Sequence, residues 1–308
     1  MSSLIEQAAQ RLEQLRKAGV LVPEVAAEAP PATPPDRARA SRPVAAPISP
    51  LPSAEIPVAS SRHVDLNLDA LAAAGILTPN APRSHTADQY RVIKRPLIIN
   101  AMGKGASKLS HGNLIMVTSA LVGEGKSYTS INLAMSIAAE LDNTVMLVDA
   151  DVARPSILRT LGLPPSPGLL DLLGGKADMA DVLMRTSIDK LTVMPSGTPH
   201  PRATELLASD AMRALLDDMA KRYPDRIIIF DSPPLLLTTE ARVLASQMGQ
   251  VVMVVQADKT LRADVQHALS TIENCPVRLM LLNMARVDTG GGYGYGYGYG
   301  YGHETPAT

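Results

Sequence analysis

The sequence predicts an α/β fold: a mostly parallel sheet flanked by helices, with a phosphate-binding loop after the first strand of the main domain. Three observations carry this. From Asn113 onwards apolar runs alternate with helical stretches, the pattern of successive βαβ units. Several of these runs are apolar at every position, as strands covered on both faces are. The first run is followed by Ala120-Leu-Val-Gly-Glu-Gly-Lys126-Ser127, which fits G-x-x-x-x-G-K-[ST] with Ala at the first position.

Residues 1–23 read as a short amphipathic helix, with Leu4, Ala8, Leu12 and Leu15 spaced by three or four among polar residues. Gly19 and Pro23 supply its stop signal. Residues 24–60 are dominated by Ala and Pro, the composition of an extended, semi-rigid linker. Residues 61–112 form a docking or oligomerisation segment, and here the sequence repeats itself. Leu68, Leu71, Ala74, Gly75, Ile76, Leu77 and Pro79 match Leu12, Leu15, Ala18, Gly19, Val20, Leu21 and Pro23 at a constant offset of 56 residues. Two readings stand. Either two unrelated short helices share a stop signal, or a docking element is duplicated, with one copy packed on the following domain and one held out on the linker.

The domain at 113–288 has strand candidates at 114–118, 145–148, 191–194, 226–230, 250–255 and 277–282. Helical segments lie at 126–140, 204–222, 240–247 and 261–274. In the last segment, 289–308, Tyr293, Tyr295, Tyr297, Tyr299 and Tyr301 alternate with glycine, in a chain of 8 tyrosines, 1 Phe and no Trp. Ordering such a stretch costs more entropy than its contacts return. It is expected to be a disordered tail that presents a row of hydroxyls for phosphorylation.

The net charge of −1 gives no electrostatic case for a nucleic-acid partner or for an anionic membrane surface. The single cysteine, Cys275, excludes an intramolecular disulfide and suits a reducing cytoplasm. No apolar run approaches the roughly 18 to 20 residues that span a bilayer, so a membrane role is expected to come through a partner.

In the phosphate loop, Gly123 and Gly125 let backbone N–H groups close around phosphates at a helix N-terminus. Lys126 is placed to neutralise β- and γ-phosphate charge and Ser127 to ligate Mg²⁺. Glu124 and Tyr128 are counted with them as nucleotide-binding positions. The next apolar run ends Asp149-Ala-Asp151, two carboxylates at i and i+2 that point to one side at the carboxyl end of a strand. A third acid, Asp231, closes Ile227-Ile-Ile-Phe230 and precedes Ser232-Pro-Pro234. One such acid would serve equally as a helix cap. Three together make the oxygen environment Mg²⁺ takes when phosphates complete its shell.

A phosphate loop, an apolar run ending D-A-D with Arg-Pro soon after, a run ending D-S-P-P and a C-terminal tyrosine cluster together resemble the bacterial tyrosine kinases known as BY-kinases. The resemblance spans residues 88–301. It implies a P-loop ATPase fold akin to septum-site and partition ATPases, ATP and Mg²⁺ as cofactors, and a tyrosine autokinase that phosphorylates Tyr293, Tyr295, Tyr297, Tyr299 and Tyr301 in trans. By it Lys126 and Ser127 hold phosphate and Mg²⁺, and Asp149 helps activate the attacking tyrosine. Asp151 and Asp231 organise the metal. Lys126, Asp149 and Asp151 are thus the expected catalytic residues, and Ser127, Asp149, Asp151 and Asp231 the expected metal set.

The stretch Asp88-Gln-Tyr-Arg91-Val-Ile-Lys94-Arg95 is similar to the family's E-x-x-R-x-x-[RK] helix, which implies a ring-like homo-oligomer through Asp88, Arg91 and Lys94. Pro195-Ser-Gly197 and Thr204-Glu-Leu-Leu207 resemble a later family segment. The chain departs from the pattern at Asp88, Val122 and Tyr128, and Arg154 stands one place later than D-x-D-x-R requires. Arg154 is therefore expected only as a phosphate or interface contact. The wording DADVARPS and the Pro-rich N-terminus look closest to cytoplasmic autokinases of exopolysaccharide and exosortase systems. That likeness implies a membrane-embedded polysaccharide co-polymerase and a tyrosine phosphatase as partners, and a cytoplasmic location peripheral to the inner membrane. Two other functions use the same core: an adaptor whose assembly ATP controls, and a positioning ATPase. The latter typically has a lysine where this loop has Leu121, and needs no tyrosine tail.

Overall fold

A computed structural model describes residues 62–79, 83–105, 108–222 and 225–286, all within the unit Ile56–Thr308. The expected N-terminal helix at 1–23, the linker at 24–60 and the tail at 289–308, with its five tyrosines, lie outside the described residues. Among the described residues eight strands, β1 (Arg62–Val64), β2 (Leu114–Ser119), β3 (Thr144–Asp149), β4 (Met184–Thr186), β5 (Leu191–Met194), β6 (Arg226–Asp231), β7 (Gln250–Gln256) and β8 (Val277–Asn283), make one sheet. Its order is β1-β4-β5-β3-β6-β2-β7-β8. β4 and β5 pair antiparallel, and the other pairs are parallel. Every expected strand is present, with its ends within one residue. The three-residue β1 and β4 were not foreseen, being too short to show a period.

The helices in chain order are α1 (Leu68–Ala73), α2 (His85–Ala101), α3 (Lys126–Ala138), α4 (Ile157–Thr160), α5 (Leu169–Leu173), α6 (Met179–Val182), α7 (Ala203–Leu207), α8 (Asp210–Arg222), α9 (Thr239–Ala245) and α10 (Arg262–Ser270). The expected helix at 204–222 is therefore two. Ser209 divides them: its hydroxyl donates to Leu206 O at 2.7 Å and accepts from Met212 N at 3.2 Å, closing one helix and opening the next.

The central strands β2, β3 and β6 are apolar along nearly their whole length because the sheet has a core on each face there. Ile115, Val117, Val145, Leu147, Ile227 and Ile229 pack on one side with α1, α2 and α3. Leu114, Met116, Met146, Val148, Ile228 and Phe230 pack on the other with α8, α9 and α10. Alternation along each strand sends neighbours to opposite cores. The carboxyl ends of β2, β3 and β6 thus come together, and the loop 119–125 leaves β2 beside them.

Candidate functional site

The loop after β2 is held in shape by its own chain. Ser119 Oγ donates to Leu121 O at 2.6 Å, and Leu121 N donates to Glu124 Oε2 at 2.6 Å. The second oxygen of Glu124 accepts from the Thr260 hydroxyl, and its backbone oxygen accepts from Asn283 Nδ2 at 2.9 Å. Glu124 is buried, and it ties the loop to the β7–α10 connection and to the end of β8. Its carboxylate is engaged by these groups of the chain, so any contact of Glu124 with a nucleotide falls to its backbone N–H. Gly125 has φ +91°, and a Cβ there would collide with the Asn283 amide. The positive φ is what favours glycine there, and a larger residue would also have to push the Asn283 amide aside.

α3 begins at Lys126, which is nearly buried, with Nζ 3.8 Å from Asp151 Oδ2. Ser127 follows, half buried. Tyr128 departs from the expectation. Two residues past Lys126 it is turned by about 200° around the helix, and its hydroxyl donates to Gly75 O at 2.8 Å, beyond the end of α1. Arg154 is exposed, and its backbone N–H, not its guanidinium, bonds to Asp151 Oδ1 at 3.2 Å.

Strand register brings two of the acids side by side. Asp149 on β3 is the partner of Asp231 on β6, and Ala150 N donates to Asp231 O at 2.8 Å. Asp149 Oδ2 accepts from Ser156 N and Ile157 N, both at 3.0 Å, so this carboxylate does cap the start of α4. Its Oδ1 is buried without a hydrogen-bond partner. Asp231 Oδ1 accepts from Ser130 Oγ at 3.0 Å, and its Oδ2 is likewise buried without one. Burial, reinforced by the neighbouring Asp231 charge, pushes Asp149 up to about 7. Burial lifts Asp231 to about 6, against the hydroxyls of Ser127 and Ser130 and the Lys126 ammonium. Burial also raises Asp151, opposed chiefly by Lys126.

Among the described residues no three His, Cys, Asp or Glu side chains group closely enough to cage a metal by themselves. What the site offers is two buried carboxylate oxygens without partners, with the Ser127 hydroxyl near Asp231. That partial oxygen set fits Mg²⁺, which keeps water and substrate phosphate in its shell.

Elsewhere the expected residues divide. Asp88 and Arg91 are exposed on α2 and pair with each other at 2.5 Å, while Ser84 caps the helix. Lys94 is buried, with Nζ 2.6 Å from Glu140 Oε1 and 2.5 Å from Ser136 O, so its ammonium is engaged within the chain. Pro195-Ser-Gly197 braces α5: Leu169 N and Leu170 N donate to Pro195 O and Ser196 O at 2.8 and 2.9 Å. Asp171 Oδ2 there accepts from Gly168 N and Thr198 N at 3.0 and 2.8 Å. Thr204 Oγ1 donates to Glu240 Oε1 at 2.6 Å, tying α7 to α9. Ser130, missed from the sequence, stands three residues past Ser127 on the same helical face, a spacing that would have found it.

A family model described as ParA, NUBPL iron-transfer P-loop NTPase, matches residues 110–290, more than half of the chain. The tyrosine-protein kinase YwqD of Bacillus subtilis is 29% identical over 67% of this chain and 83% of its own length. The tyrosine-protein kinase CpsD of Streptococcus agalactiae is 33% identical over 57% of this chain and 76% of its own length. The chain spans only 22% of another relative, the putative tyrosine-protein kinase EpsB of Ralstonia nicotianae. Among solved structures, the VpsO kinase domain superposes with a TM-score of 0.55 at 26% identity, covering 65% of this chain and 96% of that one. The sheet, the loop and these relatives agree: the chain belongs to the ParA-type P-loop NTPases and, within them, to the bacterial protein-tyrosine kinases.

Proposed function

We propose that the chain is an ATP- and Mg²⁺-dependent autokinase that phosphorylates the tyrosines of a neighbouring copy's tail, Tyr293 to Tyr301, and that this cycle regulates exopolysaccharide synthesis or export through a membrane-embedded co-polymerase. The supporting observation is the pairing of Asp149 and Asp231, each with a free buried oxygen, beside Lys126. Mg²⁺, when bound, draws charge from the β- and γ-phosphate oxygens. Ser127, Asp151 and Asp231 would supply oxygens to hold it, which leaves Asp149 Oδ1 for the incoming tyrosine. Lys126 offsets phosphate charge from within a nearly buried site, where an ammonium counts for more than in water. The incoming tyrosine gives its proton to Asp149 Oδ1 as its oxygen bonds to the γ-phosphorus and ADP leaves. A carboxylate raised to about 7 suits that task better than an ordinary one.

The test is purified protein with Mg·ATP, followed by mass spectrometry of the C-terminal peptide. Lys126→Met and Asp149→Asn are expected to lower tail phosphorylation by about 100-fold or more without unfolding the protein. Wild-type labelling in both would refute the assignment. Mixing a Lys126→Met chain that keeps its tail with an active chain lacking residues 293–301 should label the inactive chain. Label absent from that chain, with intact wild type strongly labelled, means transfer in cis.

A further inference from the structure

The similarity between residues 12–23 and 68–79 takes in all the buried apolar positions of the second copy, together with the exposed Ala74 and Gly75. In the second copy Leu71 and Ile76 are buried in the core, and Leu68, Leu77 and Pro79 are half buried. These five recur upstream as Leu15, Val20, Leu12, Leu21 and Pro23. The exposed Ala70, Ala72 and Ala73 are replaced by Gln14, Arg16 and Lys17. Gly75, whose φ of +77° favours glycine, recurs as Gly19. A shared stop signal explains a Gly and a Pro. It does not explain recurrence of the buried side chains alongside divergence at these exposed ones.

The groove that receives residues 68–79 holds them partly through their backbone. Leu77 N donates to Asn132 Oδ1 at 2.7 Å, and the Tyr128 hydroxyl donates to Gly75 O at 2.8 Å. Both groove residues lie on α3, and both of their bonds go to backbone atoms of the docked segment. Any segment with the same backbone course and the same apolar side chains satisfies them.

We infer that residues 12–23 are a second groove-binding element, and that they seat in the Tyr128/Asn132 groove of a second copy of this chain in exchange for that copy's residues 68–79. In each copy residues 68–79 are held by the β1–β4 pairing before them and by α2 after them, so the exchange occupies a minor fraction of the grooves. The upstream element is separated from them by residues 24–67, with prolines from Pro30 to Pro57. Fully extended, a chain of that length reaches on the order of 100 Å, far enough to meet another copy.

The test uses the full chain with Tyr128 replaced by the photoreactive residue benzoylphenylalanine, mixed with an equal amount of full chain labelled with nitrogen-15 and irradiated. Cross-linked peptides are then identified by mass spectrometry. The expected products are the unlabelled peptide containing residues 68–79 and a labelled peptide containing residues 12–23. Leu15→Asp with Val20→Asp in the labelled chain should lower the second product by about tenfold or more, since each removes an apolar side chain from the groove. It should leave that chain's melting temperature unchanged. Cross-links confined to residues 68–79, or to residues 12–23 of the irradiated chain itself, overturn the inference.

A second measurement keeps the groove native. In the Leu71→Asp/Ile76→Asp chain the upstream element becomes the better occupant, so melting should turn concentration-dependent. Adding Leu15→Asp/Val20→Asp to it should lower the melting temperature further. If the added pair changes nothing in that background, the inference also fails.

Discussion

Asp149 and Asp231 hold their protons more tightly in the folded chain than in the unfolded one, where the ordinary value is 3.8. The sign follows directly. Their contribution to stability is complete below about pH 4 and is lost as the pH rises through about 6 for Asp231 and about 7 for Asp149. Metal-free protein should therefore lose melting temperature from these two groups between pH 4 and pH 8, and Asp149→Asn should flatten that slope. Differential scanning calorimetry across this range checks it; equal slopes in the two proteins would contradict the shift assigned to Asp149. Glu124 makes a second case. Glu124→Ala leaves the Leu121 N–H and the Thr260 hydroxyl without their partner, a loss of about 1–3 kcal/mol. Because these bonds shape the phosphate loop, nucleotide affinity should fall as well, measured by titration with a fluorescent ATP analogue. Unaltered affinity in a destabilised variant would mean that the loop holds its shape without the staple.

At the level of elements, α2 separates two roles that its sequence had merged. Lys94 is bonded to Ser136 O at the last turn of α3 and to Glu140 beyond it, so Lys94→Ala should cost about 1–3 kcal/mol in denaturant melts. Arg91 sits on the surface in an ion pair with Asp88, and Arg91→Ala should cost less than about 1 kcal/mol. Only Arg91 is therefore a clean probe of subunit contacts. A shift toward monomer in light scattering with an unchanged melt would support an interface at this helix, and an unchanged mass would remove Arg91 from it. The pattern explains what could be read beforehand. Long apolar strands and the glycine-lysine loop declare themselves locally, so β2, β3 and β6 and their terminal acids were legible. The inward turn of Lys94, the outward aim of Tyr128 and the internal bonds of Glu124 depend on partners 42, 53 and 136 residues distant, which no local period encodes.

For the molecule as a whole, charge is the lever. Each phosphotyrosine adds about 1.5 to 2 negative charges, so full modification of the tail would add on the order of 8 to 10 to a chain whose net charge is −1. Phosphorylated protein should therefore run at lower mass than unphosphorylated protein in light scattering at low salt, with the difference shrinking as salt is added. Identical masses at every salt concentration would argue that the tails are too far apart to repel. The register of β3 with β6 carries a different consequence. Two buried carboxyls stand opposite each other at the last rung of this strand pair, each with an oxygen that has no hydrogen-bond partner, so a group bound there acts on this end of the ladder first. Loading with nucleotide and Mg²⁺ should slow amide deuterium uptake at Val148 to Ala150 and at Phe230 to Ser232 more than at the opposite ends of the same strands. The sheet would then breathe from its functional end, and occupancy of the site would be written into the exchange rates of its backbone.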